Sequence, residues 1–198
     1  RSFCVDRYLL VRVHTDKGLV GNGEAGLWAH HGIVKAALDE LAEYFVGKDP
    51  LLIEHHFQVV SRYTHFSGAV ISAAQSAIDV ALWDILGKSV GMPVYQLLGG
   101  KTRDKIRVFE NISGNTNYEK VEDAKKHVEQ GYTSLRMTPF FEGFEFKCAS
   151  QIIDEAVSMV ADVRKGIGYQ VDLGLEIHRN LRIEDAITLA RELEPFRI

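Results

Sequence analysis

Residues 72–103 read SAAQSAIDVALWDILGKSVGMPVYQLLGGKTR, a helical pattern running into a glycine-rich handover. Ile71, Ala74, Ile78, Ala81, Leu82 and Ile85 recur at helical spacing and make one apolar face, with Asp79 and Asp84 off that stripe. Gly87 and Gly91 are expected to break the helix. Pro93 suits the first turn of a short second helix through 96–98, and Gly99-Gly100 closes it with residues that tolerate positive φ. The period alone is that of any buried helix followed by a turn.

The wording is more specific than the period. Ala77-Ile78-Asp79-Val80-Ala81-Leu82-Trp83-Asp84, then Gly87-Lys88, Pro93-Val94-Tyr95 and Leu97-Leu98-Gly99-Gly100, closely resemble the enolase superfamily. Within it they resemble the mandelate racemase and muconate lactonizing branch, which includes the sugar-acid (galactonate, gluconate and mannonate) dehydratases. The resemblance implies an α/β protein: an α+β capping domain over 1–100, including the long helix and the handover, then the first part of a (β/α)8-type barrel over 101–198. The hairpin below, its Gly23-Glu24-Ala25 ending and the Gly47-Lys48-Asp49-Pro50 turn resemble the same capping domain, with Asn22 where an aromatic often precedes Gly23-Glu24.

Composition bounds the alternatives. Of 198 residues 46% are hydrophobic and 25% charged, the balance of a globular chain rather than a disordered one. A net charge of -4 with scattered Lys and Arg gives no basic field, so nucleic acid is discounted as a partner. Cys4 and Cys148 are too few for a disulfide framework, and a reducing cytoplasm fits best. No apolar run is expected to span a membrane. The chain opens without Met and stops as a further strand begins after Pro195. The stretch after Gly100 is too short for a full barrel, so three β/α units of a longer protein are expected.

Residues 8–14 and 19–25 read as a β-hairpin around Asp16-Lys17-Gly18, and helices are expected over 32–46 and 52–61. After Lys101 the pattern alternates: strands over 105–112, 134–138 and 170–177, helices over 118–130, 148–166 and 183–194. Alternation of this kind argues parallel βαβ units. Gly131-Tyr132 and Gly166-Ile167-Gly168 are the expected helix stops.

The active site of such a barrel forms at the C-terminal ends of its strands. The third strand ends in Leu175-Glu176-Ile177-His178-Arg179, and alternation puts Glu176 and His178 on one side. A carboxylate with a histidine two residues on can bind a hard cation beside an imidazole; it is equally the pattern of a rim ion pair. The resemblance implies that Glu176 is the first Mg²⁺ ligand, with Glu where Asp is commoner, and that His178 is an acid/base residue. At the second strand end, racemases and lactonizing enzymes of this superfamily carry Lys, any residue, Lys; this chain has Arg136 and Thr138. Arginine does not readily deprotonate, so Arg136 suits carboxylate clamping or charge stabilisation in catalysis, or else a salt bridge at the barrel mouth. Thr138 joins it as a substrate contact. Trp28 and His30 after the hairpin, and His65 within 62–66, are the expected substrate contacts of the capping loops. His55-His56 lacks the spacing of a helical zinc site.

With these residues, the resemblance implies Mg²⁺-dependent dehydration of a hexonate-like acid to a 2-keto-3-deoxy acid through an enediolate. His178 would protonate the departing 3-hydroxyl, while the α-proton base and two further acidic ligands would lie on later strands. Racemisation or epimerisation on the same scaffold, or a non-catalytic barrel homologue, remain the alternatives. The expected partners are a small sugar acid and further copies of the chain in a homo-oligomer, with neither nucleic acid nor membrane.

Overall fold

The computed structural model describes residues 2–5, 8–63 and 67–198. The chain divides into two compact units, 1–104 and 105–198, each with its own core.

The first unit opens with strands β1 (Ser2–Val5), β2 (Tyr8–His14) and β3 (Val20–Ala25), paired antiparallel in that order. The expected hairpin is β2–β3, and β1 is an addition. Leu19 falls in the turn, where the Thr15 hydroxyl donates to its carbonyl and accepts from its amide, both at 3.0 Å. Helices α1 (His31–Phe45), α2 (Ile53–Tyr63), α3 (Ala69–Val90) and α4 (Val94–Leu97) follow. Arg62 and Tyr63 therefore belong to α2 rather than to a loop, and His65 lies outside the described residues.

Helix α3 is the central element of this unit. Its buried Ala74, Ala77, Ile78, Leu82 and Ile85 meet Leu9, Val11 and Ala25 of the sheet. The contact is made backbone to backbone. A Cβ at Gly21 would overlap the Ala81 carbonyl, and one at Gly23 the Ala77 carbonyl. Alternation turns both glycines to the helix face of β3, and alanines on α3 complete the close approach. By length and composition α3 is apolar enough to cross a membrane, contrary to the sequence expectation.

Gly87 does not break α3. It lies buried inside the helix because the returning chain leaves no room for a side chain, a Cβ there standing 2.7 Å from the Met92 carbonyl oxygen. The stop is Gly91 alone, at φ 68°, with the Met92 amide donating to the Gly87 carbonyl at 2.9 Å.

The two acids off the apolar stripe have different environments. Asp84 accepts from the Asn22 amide (2.9 Å) and side chain (3.2 Å) and from Lys88 (2.7 Å), tying β3 to α3. Burial pushes its carboxyl up, but these hydrogen bonds outweigh burial and hold it below the ordinary carboxylate range. Asp79 is raised, first by burial and then by the charge of Glu54 on α2. A raised folded-state pKa means the folded unit binds this proton more tightly than the unfolded chain. The resulting cost is absent below the ordinary Asp pKa, about 3.9, and develops as pH rises through the folded value. Asp79→Asn is therefore expected to raise Tm at neutral pH, with the gain shrinking towards pH 3 in melts of both proteins.

The second unit is built from β4 (Glu110–Asn111), α5 (Asn117–Glu129), β5 (Ser134–Met137), α6 (Ala149–Ile167), β6 (Asp172–Leu175) and α7 (Ile183–Leu193). Its sheet is parallel, in the order β4-β5-β6, as the alternation predicts. Ile112, Leu135, Met137 and Leu173 are buried with α6 residues Ala156, Met159, Val160 and Val163. The intervening Asn111, Arg136 and Gly174 lie on the opposite face and in one register row.

The first strand is much shorter than 105–112. Among the described residues its only ladder neighbour is β5, and Ile106 and Val108 are exposed rather than packed. Arg107 holds that segment instead, donating to the Thr133 hydroxyl at 2.9 Å, to the Thr133 carbonyl and to Asp172 at 2.6 Å. Gly168, at φ 69°, follows α6, but Gly166 lies inside it, where a Cβ would stand 2.7 Å from Val121 of α5. The buried Arg164 donates to the carbonyls of Val171 (2.7 Å), Phe196 (2.7 Å), Arg197 (2.6 Å) and Gly168 (3.2 Å), anchoring the segment after α7.

Candidate active site

The C-terminal ends of β4, β5 and β6 bring three of the expected residues together. Arg136 Nη1 stands 3.4 Å from Glu176 Oε2 across the β5–β6 register. Glu176 Oε1 accepts from the His178 backbone amide at 3.1 Å and faces His178 Nδ1 at 3.5 Å. The carboxylate thus lies between a permanent cation and an imidazole, both partly open to solvent.

The reason for the Glu176–His178 pairing differs from the one alternation supplies. Strand β6 ends at Leu175, and the Glu176 amide makes one further ladder bond to the Met137 carbonyl at 3.0 Å. The chain then turns, with the Asn180 amide donating to the Ile177 carbonyl at 2.9 Å. His178 and Arg179 take left-handed backbone conformations, φ 50° and 62°, which are uncommon for residues with a Cβ. A tight turn capped by the Glu176 carboxylate, not a pleated strand, therefore brings the imidazole to it.

Two residues that sequence reasoning missed complete the cluster. Arg136 Nε donates to Asn111 Oδ1 at 3.0 Å, and the guanidinium lies over the Phe109 ring, 4.7 Å from its centroid. The available signal was the parallel arrangement itself, which puts the end of the first strand beside the end of the second. Thr138, two residues past Arg136, is exposed. Its carbonyl accepts from the buried Lys120 at 3.4 Å. Burial lowers the Lys120 ammonium, and the nearby Asp123 partly offsets this.

Glu176 is a single carboxylate, and among the described residues no three His, Cys, Asp or Glu side chains converge on a point that could hold a metal ion. A hard cation needs several oxygen ligands, so these residues do not make a metal centre by themselves.

In the first unit an open cleft of about 510 Å³ is lined by Tyr8, Glu24, Ala25, Gly26, Leu27, Trp28 and His31. Trp28 follows β3 and contributes to this lining. His30 instead precedes α1, its carbonyl accepting from the Val34 amide at 3.2 Å, and the neighbouring His31 lines the cleft. His56 is buried, with Nδ1 2.9 Å from the Tyr44 hydroxyl and Nε2 2.8 Å from the Asp49 carbonyl, a packing histidine.

Residues 2–99 match the family model of the mandelate racemase / muconate lactonizing enzyme N-terminal domain. The chain belongs to the mandelate racemase/muconate lactonizing enzyme family. It is 36% identical over 192 residues to a D-galactonate dehydratase of Verminephrobacter eiseniae, an alignment covering 96% of this chain and 50% of the relative. It is also similar to the structure of an enolase from Pantoea ananatis with bound D-gluconate and Mg (TM-score 0.88, 28% identity, 96% of this chain and 54% of that one). A third similarity is to a mandelate racemase/muconate lactonizing enzyme from Jannaschia sp. CCS1 (TM-score 0.81, 30% identity, 96% and 53%). The chain spans about half the length of the curated relatives it matches. Residues 2–99 are thus the α+β capping domain of this family, followed by the first part of a (β/α)8-type barrel that is incomplete in this chain.

Proposed function

We propose that the whole protein is a hydro-lyase that dehydrates a hexonate-like sugar acid to a 2-keto-3-deoxy acid. The observation that carries this reading is the convergence of Arg136, Glu176 and His178 on adjoining strand ends, with Arg136 and Thr138 where a racemase of this family would carry two lysines, the second of which, at the position of Thr138, would be the base. The resemblance to D-galactonate dehydratases supports the substrate class. Glu176 is proposed as one ligand of Mg²⁺, the others coming from beyond this chain.

Dehydration removes the proton next to the carboxylate, expels the 3-hydroxyl as water and leaves an enol that ketonises. A base beyond this chain takes the α-proton. The charge that develops on the enediolate falls beside the guanidinium of Arg136. His178, in its protonated form, gives a proton to the departing hydroxyl. Glu176 orients the imidazole through its backbone and ring contacts.

The test is to incubate the full-length protein and Mg²⁺ with D-galactonate, D-gluconate and D-mannonate and follow 2-keto acid formation. Dehydration of at least one is expected. Deuterium uptake at C2 from D₂O without loss of hydroxyl would replace this reading by racemisation or epimerisation. Neither binding nor turnover of any acid would leave a non-catalytic barrel homologue.

A further inference from the structure

We infer that Asn111 is a positioning residue for Arg136, holding the guanidinium at the orientation in which it meets the substrate. The inference rests on the role given to Arg136 in the proposed function. An unrestrained arginine samples many rotamers, and a charge placed 1 Å away from its working position can lower turnover a hundredfold. The structure supplies a restraint on each side. Asn111 Oδ1 accepts from Nε at 3.0 Å, the Phe109 ring underlies the guanidinium plane at 4.7 Å, and Glu176 Oε2 meets Nη1 at 3.4 Å.

Because Nε can only donate, Asn111 must present its oxygen, which fixes the amide orientation. Among the described residues Nη2 has no hydrogen-bond partner, so the far end of the guanidinium is available to an incoming carboxylate. Asn111 is the Cα register partner of Arg136 in the β4–β5 ladder, and the Ile112 amide donates to the Arg136 carbonyl at 2.7 Å. The two side chains are thus fixed to each other through the backbone. Asn111 is itself exposed, so its side chain is not needed to fill a core.

The experiment is a double-mutant cycle on the full-length protein. Asn111→Ala is expected to lower kcat/KM about ten- to a hundredfold, chiefly through kcat. Asn111→Asp, which keeps an acceptor for Nε, should recover most of that loss. In an Arg136→Gln background, Asn111→Ala should change nothing further. Binding of D-gluconate to the metal-free protein, measured by calorimetry, should weaken in Asn111→Ala while Tm stays within about 2 °C, the range of a surface change. Parent-like kinetics in Asn111→Ala, or a loss that persists at full size without Arg136, would overturn the inference. Full activity in Arg136→Gln alone would overturn the role of Arg136 and this inference with it. An impaired Arg136→Gln beside a silent Asn111→Ala would overturn only the latter.

Discussion

Valine at position 23 is expected to lower the melting temperature of the first unit by roughly 15 °C or more, which corresponds to at least about 3 kcal/mol for a domain of this size. Overfilling usually costs less because side chains shift. Here the atom in the way is the Ala77 carbonyl of α3, a backbone oxygen already committed to the helix, so the whole helix must move off the sheet. Such a shift also opens the contacts of Ile78, Leu82 and Ile85 with Leu9 and Val11. Gly26→Ala is the control: a Cβ there meets nothing within 4 Å, and its melt should match the parent. Calorimetric melts of the three proteins settle the matter, and a parent-like Tm for Gly23→Val would refute the close-approach account.

The apolar stripe of α3 and the strand-helix alternation after Lys101 were legible because burial repeats with the period of the element. What escaped had no period. Gly21, Gly23, Gly87 and Gly166 are small because another backbone or side chain lies against them, a tertiary fact that makes a packing glycine look like a breaking one in sequence. The first barrel strand was overread for a related reason. Its alternating Ile106 and Val108 have the composition of a strand, but pairing needs partners, and on β5 these are found by Glu110 and Asn111, with one further bond from the Ile112 amide.

The site was read in part. Glu176, His178 and Arg136 follow from strand-end position and family wording, and they do converge. Asn111 and Phe109 sit on a different strand, where only the parallel register reveals them as neighbours of Arg136. The left-handed backbone at His178 could not be inferred either, since histidine gives little local warning of positive φ.

That backbone conformation decides how the role of His178 is best tested. A β-branched replacement at φ 50° would strain the turn and confound a loss of chemistry with a loss of structure. Asparagine enters the left-handed region readily and has no acid/base function near neutrality. His178→Asn should therefore fold like the parent, and Tm should be unchanged. Removing a general acid typically costs about 10²- to 10⁴-fold, so 2-keto acid formation should fall by that amount. The proposed division of labour makes a sharper demand. If the α-proton base lies elsewhere, His178→Asn should still exchange the C2 proton of the sugar acid with D₂O while failing to expel the hydroxyl. Loss of both reactions together would make His178 the base rather than the acid, and unaltered keto acid formation would remove it from the mechanism. Arg136→Gln provides the contrast: without the cation beside the enediolate both exchange and dehydration should fall, because the charge it stabilises forms before the hydroxyl departs.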